Sequence, residues 1–173
     1  MKAKSIKGKS TEEIKSALQQ SLADGFNPTL AICFISKSQD RKAVSQLLDK
    51  AGINIFGCTT NGEFIDEETE KNSAAILLLD MNKDHFQIYF EEYPEKNYRE
   101  VSRAIAKKAS EKLTLPAFLI GTSHSATDGE EILKGIEDIA GMQVNAYGGA
   151  AGDDYAFAQT FVFTNGRDSD NAM

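Results

Sequence analysis

With 173 residues, 41% of them hydrophobic and 26% charged, the chain has the composition of one globular domain long enough to bury a single core. A formal net charge of −7, with basic residues scattered apart from Lys2, Lys4, Lys7 and Lys9, argues against a nucleic-acid surface and leaves that lysine run as a solvated tail. No stretch nears the roughly 20 apolar residues of a membrane span or the apolar core of a secretory signal, so the sequence reads as cytoplasmic. Two cysteines, Cys33 and Cys58, and two histidines, His85 and His124, supply neither a disulfide framework nor a zinc-ligand pattern, and no cofactor or metal is expected.

Taken in order, Ser10-Thr11-Glu12-Glu13 is a capping box followed by an apolar stripe at helical spacing, Ile14, Ala17, Leu18 and Leu22, which Gly25 ends. Residues 29–36 are near-continuously apolar, as in a central strand buried on both faces. Polar Ser36-Lys37-Ser38 leads to a second helix carrying Ala43, Val44, Leu47, Leu48 and Ala51, stopped at Gly52. Residues 53–57 form the next strand, and 66–72 a charged surface connection. Strands follow at 74–80 and 85–93, the second alternating Phe86, Ile88 and Phe90 against Gln87, Tyr89 and Glu91. A third helix spans 97–113. A strand at 117–121 opens into the polar run 122–128, where Asp128 with Glu131 caps a fourth helix closed by Gly141. Strands at 144–147 and 159–164 complete the chain, the last ending in the turn Asn165-Gly166 and a polar tail. A tail with no strand to pair with 159–164 reads as the front part of a longer protein, cut at a loop.

Two stretches organise these elements: Gly57-Cys58-Thr59-Thr60-Asn61-Gly62-Glu63-Phe64 and Gly148-Gly149-Ala150-Ala151-Gly152-Asp153-Asp154-Tyr155. Each follows an apolar strand, and the offset of 91 positions between Gly57 and Gly148 holds between Glu63 and Asp154. The pattern predicts an α/β fold, a mixed β-sheet flanked by helices and built from two related β-loop-α-β units, with a two-sheet sandwich under outer helix layers as the alternative. Parallel strands would bring both glycine stretches, Ser36–Ser38 and the 122–128 loop to one sheet edge, where open α/β sheets bind ligands.

The candidate ligand groups are Cys58, Thr59, Thr60, Asn61, Gly62 and Glu63, then Ser123, Thr127 and Asp128, then Gly148, Gly149, Gly152, Asp153 and Asp154. Carboxylates of Glu63, Asp153 and Asp154 suit an ammonium group; backbone N–H groups of Gly148-Gly149 and the helix start after Asp128 suit a carboxylate; the hydroxyls fix orientation. The plainer alternative is that the glycines serve bulges and packing and that Asp154 caps a turn. Cys58 with His124 and Asp128 has the composition of a thiol hydrolase or transferase. With no Lys or Arg between Cys58 and Glu70, however, an inert thiol at a strand end is the expected case and no catalytic residue is assigned.

The paired glycine stretches, with Thr160-Phe161-Val162-Phe163 and Asn165-Gly166, resemble the N-terminal half of the FIST domain, the sensory domain of F-box and intracellular signal transduction proteins. The likeness runs from about Ile6 to the end, making residues 1–173 one N-terminal FIST unit. It implies a bacterial signalling input module that binds small ligands such as amino acids. The implied partners are a C-terminal FIST half and a chemoreceptor, histidine kinase or cyclic-dinucleotide output.

Overall fold

A computed structural model describes residues 1–65, 68–123 and 127–173. Its elements are β1 (Lys2–Gly8), α1 (Thr11–Leu22), β2 (Leu30–Ser36), α2 (Arg41–Lys50), β3 (Asn54–Thr60), β4 (Glu63–Ile65), β5 (Glu68–Glu70), β6 (Ala74–Asp80), α3 (Tyr98–Lys112), β7 (Phe118–Thr122), α4 (Gly129–Ala140), β8 (Ala146–Ala150), β9 (Val162–Thr164) and β10 (Arg167–Ser169). A six-stranded sheet runs β1-β6-β2-β3-β9-β10, with β2 and β3 parallel and the other neighbours antiparallel. β7 and β8 form a separate parallel pair, and β4 and β5 an antiparallel ribbon. The α/β reading is the one observed. Both β-loop-α-β units are present as strand–helix–strand crossovers with parallel strands, β2-α2-β3 and β7-α4-β8, but they join two sheets instead of one.

Side chains alternate across a strand, so each face of the main sheet has its own partner. Ala31, Cys33 and Ile35 of β2, Ile55 of β3 and Ile76 and Leu78 of β6 pack with Ile14 and Leu18 of α1 and Val44 and Leu48 of α2 into the main core. Two caps hold as expected, Ser10 Oγ accepting from Glu13 N at 3.2 Å and Asp128 from Glu131 N at 3.1 Å, and Asp40, which the sequence reading did not single out, caps α2 by accepting from Ala43 N at 2.9 Å. Glu13 reaches past its cap residue to take the N–H of Lys9 at 2.8 Å. A second cluster, built on Tyr93, Tyr98, Ala106, Ile132 and Ile136, joins α3 to α4 beneath β7. Arg99 donates twice to Asp138, at 2.9 Å each, across that helix pair.

Five expectations need correction. Lys2, Lys4 and Lys7 belong to the edge strand β1, which pairs with β6, and Lys9 follows it; Lys4 meets Asp24 at 2.8 Å and Lys7 pairs with Glu68, and charged side chains on such an edge discourage further pairing. The 85–93 stretch is no strand: after one 3-10 turn at Lys83–His85 it runs extended with a single bridge, Glu92 to Ala172, because both flanks of β6 are already taken by β1 and β2. Neither glycine stretch is wholly a loop, since β3 continues through Thr60 and β8 contains Gly148 and Gly149. The strand expected at 159–164 shortens to β9. The polar tail does supply its partner, β10, through the Asn165-Gly166 turn. Residues 66 and 67 of the charged connection lie outside the described residues.

Gly135 marks the tightest point of the α3–α4 contact, where an added Cβ would meet Ser102 Oγ and the backbone carbonyl of Arg99. Helix propensity alone would make alanine there more stable by roughly 1 kcal/mol. Overpacking against a backbone atom reverses the sign, so Gly135→Ala is expected to destabilise the fold by about 1–3 kcal/mol in urea denaturation. A midpoint at or above the wild-type value would mean that the helices separate without cost.

Candidate functional site

Because β2 and β3 are parallel, their C-terminal ends finish side by side, with Ser36 opposite Thr60. The chain then turns at Asn61-Gly62 into β4, and the segment after β8 lies across that turn. Gly152 N donates to Thr59 O at 2.7 Å, Asp154 N to Thr60 O at 3.2 Å and Ala151 N to Thr122 O at 2.7 Å. Asn61 Oδ1 accepts from both Asp153 N, at 2.9 Å, and Tyr155 N, at 3.2 Å. A Cβ on Gly152 would stand 2.5 Å from Asn61 Oδ1 and 2.7 Å from Asn61 N, so only glycine fits. The two glycine stretches therefore interlock at one edge of the main sheet.

The three carboxylates are placed differently from one another. Glu63, 2% exposed, accepts from Thr60 Oγ1 at 2.6 Å, Ser73 Oγ at 2.9 Å and Ser73 N at 3.3 Å. Asp153, 5% exposed, accepts from Ala158 N at 2.6 Å, Phe157 N at 3.0 Å and Gln159 N at 3.1 Å, with Lys37 Nζ at 4.0 Å. These N–H donors, Ala158's first among them, hold the Asp153 carboxyl below the usual range. Asp154 is half-buried and accepts from Ser36 Oγ at 2.6 Å. It stands at φ 58°, with Tyr155 at 64° and Phe157 at 52°, in a left-handed region that non-glycine residues seldom adopt.

The other expected residues divide by role. Thr59 is buried, its hydroxyl accepting from Phe161 N at 2.9 Å. Ser123 bonds both polar groups of Ala172, accepting from its N–H at 2.7 Å and donating to its carbonyl at 3.0 Å, while Thr127 donates to Ser123 O at 2.6 Å. The fully buried Tyr93 joins this second knot through its hydroxyl, which donates to Ser123 O and Ala172 O at 2.8 Å each. Asp128 is exposed and occupied as a helix cap. Gly148 would direct a Cβ into the carbonyl of Ile120, and Gly149 is exposed with open space beside it. Burial pushes the Cys58 thiol up to about 12, and Gly121 packs so close that its Cβ would lie 2.5 Å from Cys58 Sγ. His124, the third member of the thiol constellation with Cys58 and Asp128, lies outside the described residues.

Sequence reasoning missed Ser73 and Tyr93. Ser73 ends the polar run that precedes the apolar strand β6 and so did not stand out, and Tyr93 carried no signal. Of the candidate residues, Thr60, Asn61, Gly62, Gly148, Gly149 and Asp154 keep exposure in the two glycine stretches.

A family model described as the FIST N domain matches residues 29–173. The match takes in everything from β2 onward, whereas the likeness read from the sequence began near Ile6. No curated protein and no solved structure matches the chain.

Two outcomes follow from the site's protonation chemistry. Asp153→Asn should destabilise the chain at neutral pH, with the difference from wild type shrinking as pH falls below the carboxylate range. The sign follows because a depressed folded-state pKa contributes stability above the unfolded value and loses it on protonation; equal urea midpoints at pH 7 would show that the three N–H bonds do not anchor this segment. Cys58 should resist iodoacetamide for minutes at pH 8 and react once guanidinium unfolds the chain. Rapid labelling of the native protein at Cys58 would contradict the buried, protonated thiol.

Proposed function

The chain belongs to the FIST N domain family, a family of signal-transduction sensory domains, and on that premise we propose that it binds a small polar ligand, an amino acid among the candidates, at the interlocked edge. The observation that carries this reading is the meeting of both glycine stretches at the C-terminal ends of parallel strands, the position where open α/β sheets take ligands. Asp154, with one neutral donor on its carboxylate, is the group for a ligand ammonium. The Asn61 amide nitrogen and the N–H groups around Gly148-Gly149, with Lys37 nearby, are donors for a ligand carboxylate. Glu63, Asp153, Thr59 and Gly152 hold the edge in shape, Thr60 and Gly62 flank it, and Cys58 on the far side of β3, with Ser123, Thr127 and Asp128 in the second knot and helix cap, stands apart from the ligand groups.

Residues 1–173 act, on this reading, as one N-terminal FIST unit in the bacterial cytoplasm, working with a C-terminal FIST half and a kinase, chemoreceptor or cyclic-dinucleotide output. The role is non-enzymatic: burial and the raised thiol pKa weigh against Cys58 as the nucleophile of a hydrolase or transferase.

Thermal denaturation against the twenty amino acids tests the proposal. A ligand at about 100 times its dissociation constant adds roughly 2.7 kcal/mol of stability. Asp154→Asn keeps a residue that tolerates left-handed backbone and should cost about 1.5–3 kcal/mol of binding. A screen in which no amino acid stabilises the chain, or a variant that binds as the wild type does, would remove this reading.

A further inference from the structure

The face of the main sheet opposite α1 and α2 does not close on a packed layer. Between it and α3 with β7 lies a cavity of about 350 Å³. That is room for roughly a dozen water volumes, and it falls within the roughly 300–1,000 Å³ of small-molecule pockets. Ile32, Phe56, Ile88, Phe90, Phe118 and Ile120 line it and all six are half-exposed, Phe56 and Phe90 packing at their margins on the Cys58–Val162 cluster and Phe118 and Ile120 on the α3–α4 cluster. No Asp, Glu, Lys or Arg lines it among the described residues. Ser102, the polar member contributed by α3, already donates its hydroxyl to Arg99 O at 3.1 Å.

Water needs two to four polar partners per molecule, and these mainly apolar walls offer few beyond Tyr89, Thr164 and the two residues at the mouth, His85 and Gln87; a charged ligand would be left without a counter-ion. His85 and Gln87, exposed members of the lining, mark where the cavity meets solvent. We propose that this cavity is a second ligand site, distinct from the polar edge, for an uncharged and mainly apolar molecule about the size of a substituted bicyclic aromatic.

The cavity is also placed to transmit occupancy. Its side wall is the extended strap that carries Phe86, Ile88 and Phe90. That strap continues into Glu91 and Tyr93, whose backbones bond Met173 at 3.0 Å in both directions and Asn171 at 3.1 Å. Met173 itself lines the cavity. Filling the hollow gives the strap and α3 the contacts that they lack when it is empty.

Fluorescence titration of the whole chain with N-phenyl-1-naphthylamine, an uncharged bicyclic fluorophore, tests the site. The expected result is saturable, blue-shifted binding of one probe per chain. Ala109→Leu, which fills the cavity from α3, and Ile88→Trp, which fills it from the strap, should each weaken binding by about tenfold or more, with thermal midpoints retained or raised. Met142→Ser removes an 88%-exposed apolar side chain outside the lining and should leave binding unchanged. Should Ala109→Leu fail to fold, Ile88→Trp decides the matter from a half-exposed position. Non-saturable binding, wild-type affinity in the folded filled variants, or loss of binding in Met142→Ser would overturn the proposal.

Discussion

The interlocked edge depends on one amide oxygen. Asn61 Oδ1 collects the N–H groups of Asp153 and Tyr155 while Gly152 slides past it, and this grip ties the end of β3 in the main sheet to the segment leaving β8 in the other. The segment needs such anchoring because Asp154, Tyr155 and Phe157 all stand at positive φ, at a cost of order 1–3 kcal/mol each. Asp153 supplies the counterweight by accepting three consecutive N–H groups, and Ser36 holds Asp154 from β2. With five N–H donors fixed on two side chains, the strained turn is over-determined.

That grip also explains why the acidic residues behave unlike one another. A carboxylate removed from water must have its lone pairs satisfied, and Glu63 meets this with hydroxyls and one N–H, with no cation paired to it among the described residues. The sequence shows three acidic residues in polar stretches and offers no means of ranking them. Geometry ranks them: Glu63 and Asp153 face inward to hold the edge together, and Asp154 retains exposure.

Helices, caps and the strands of the main core were legible because each rests on a local signal: the stripe Ile14, Leu18 and Leu22, the caps Ser10 and Asp128, the unbroken apolar run of β2. The interlock was half-legible. The offset of 91 between Gly57 and Gly148 pointed to related units, yet the glycines themselves answer to packing, Gly57 to the ring of Phe163 and Gly121 to Cys58 Sγ, which no spacing reveals. The Phe86–Ile88–Phe90 alternation suggests a strand because period two reports a pleated backbone and says nothing about whether a sheet edge is free to accept it. β1 was hidden by its lysines, whose charge suggests a tail when taken as composition, and which guard an edge only once the strand is seen paired with β6.

For a sensory domain, a ligand acts only through an element whose two arrangements it binds unequally. The interlocked edge has little room for a second arrangement, since bonds cross it from Thr59, Thr60 and Asn61 to residues 152–155 and Asp153 ties down residues 157–159. The opposite side of β3 is built otherwise: Phe56 and Cys58 look into a hollow, and the strap beyond is held by the bonds of residues 91 and 93 to 171–173 instead of by a sheet ladder. Packed cores resist continuous deformation and switch between discrete arrangements, which requires space into which side chains can move. One strand thus separates a rigid polar edge from an under-filled apolar chamber. The proposed polar-ligand site lies on the first, and the unfilled volume lies on the second.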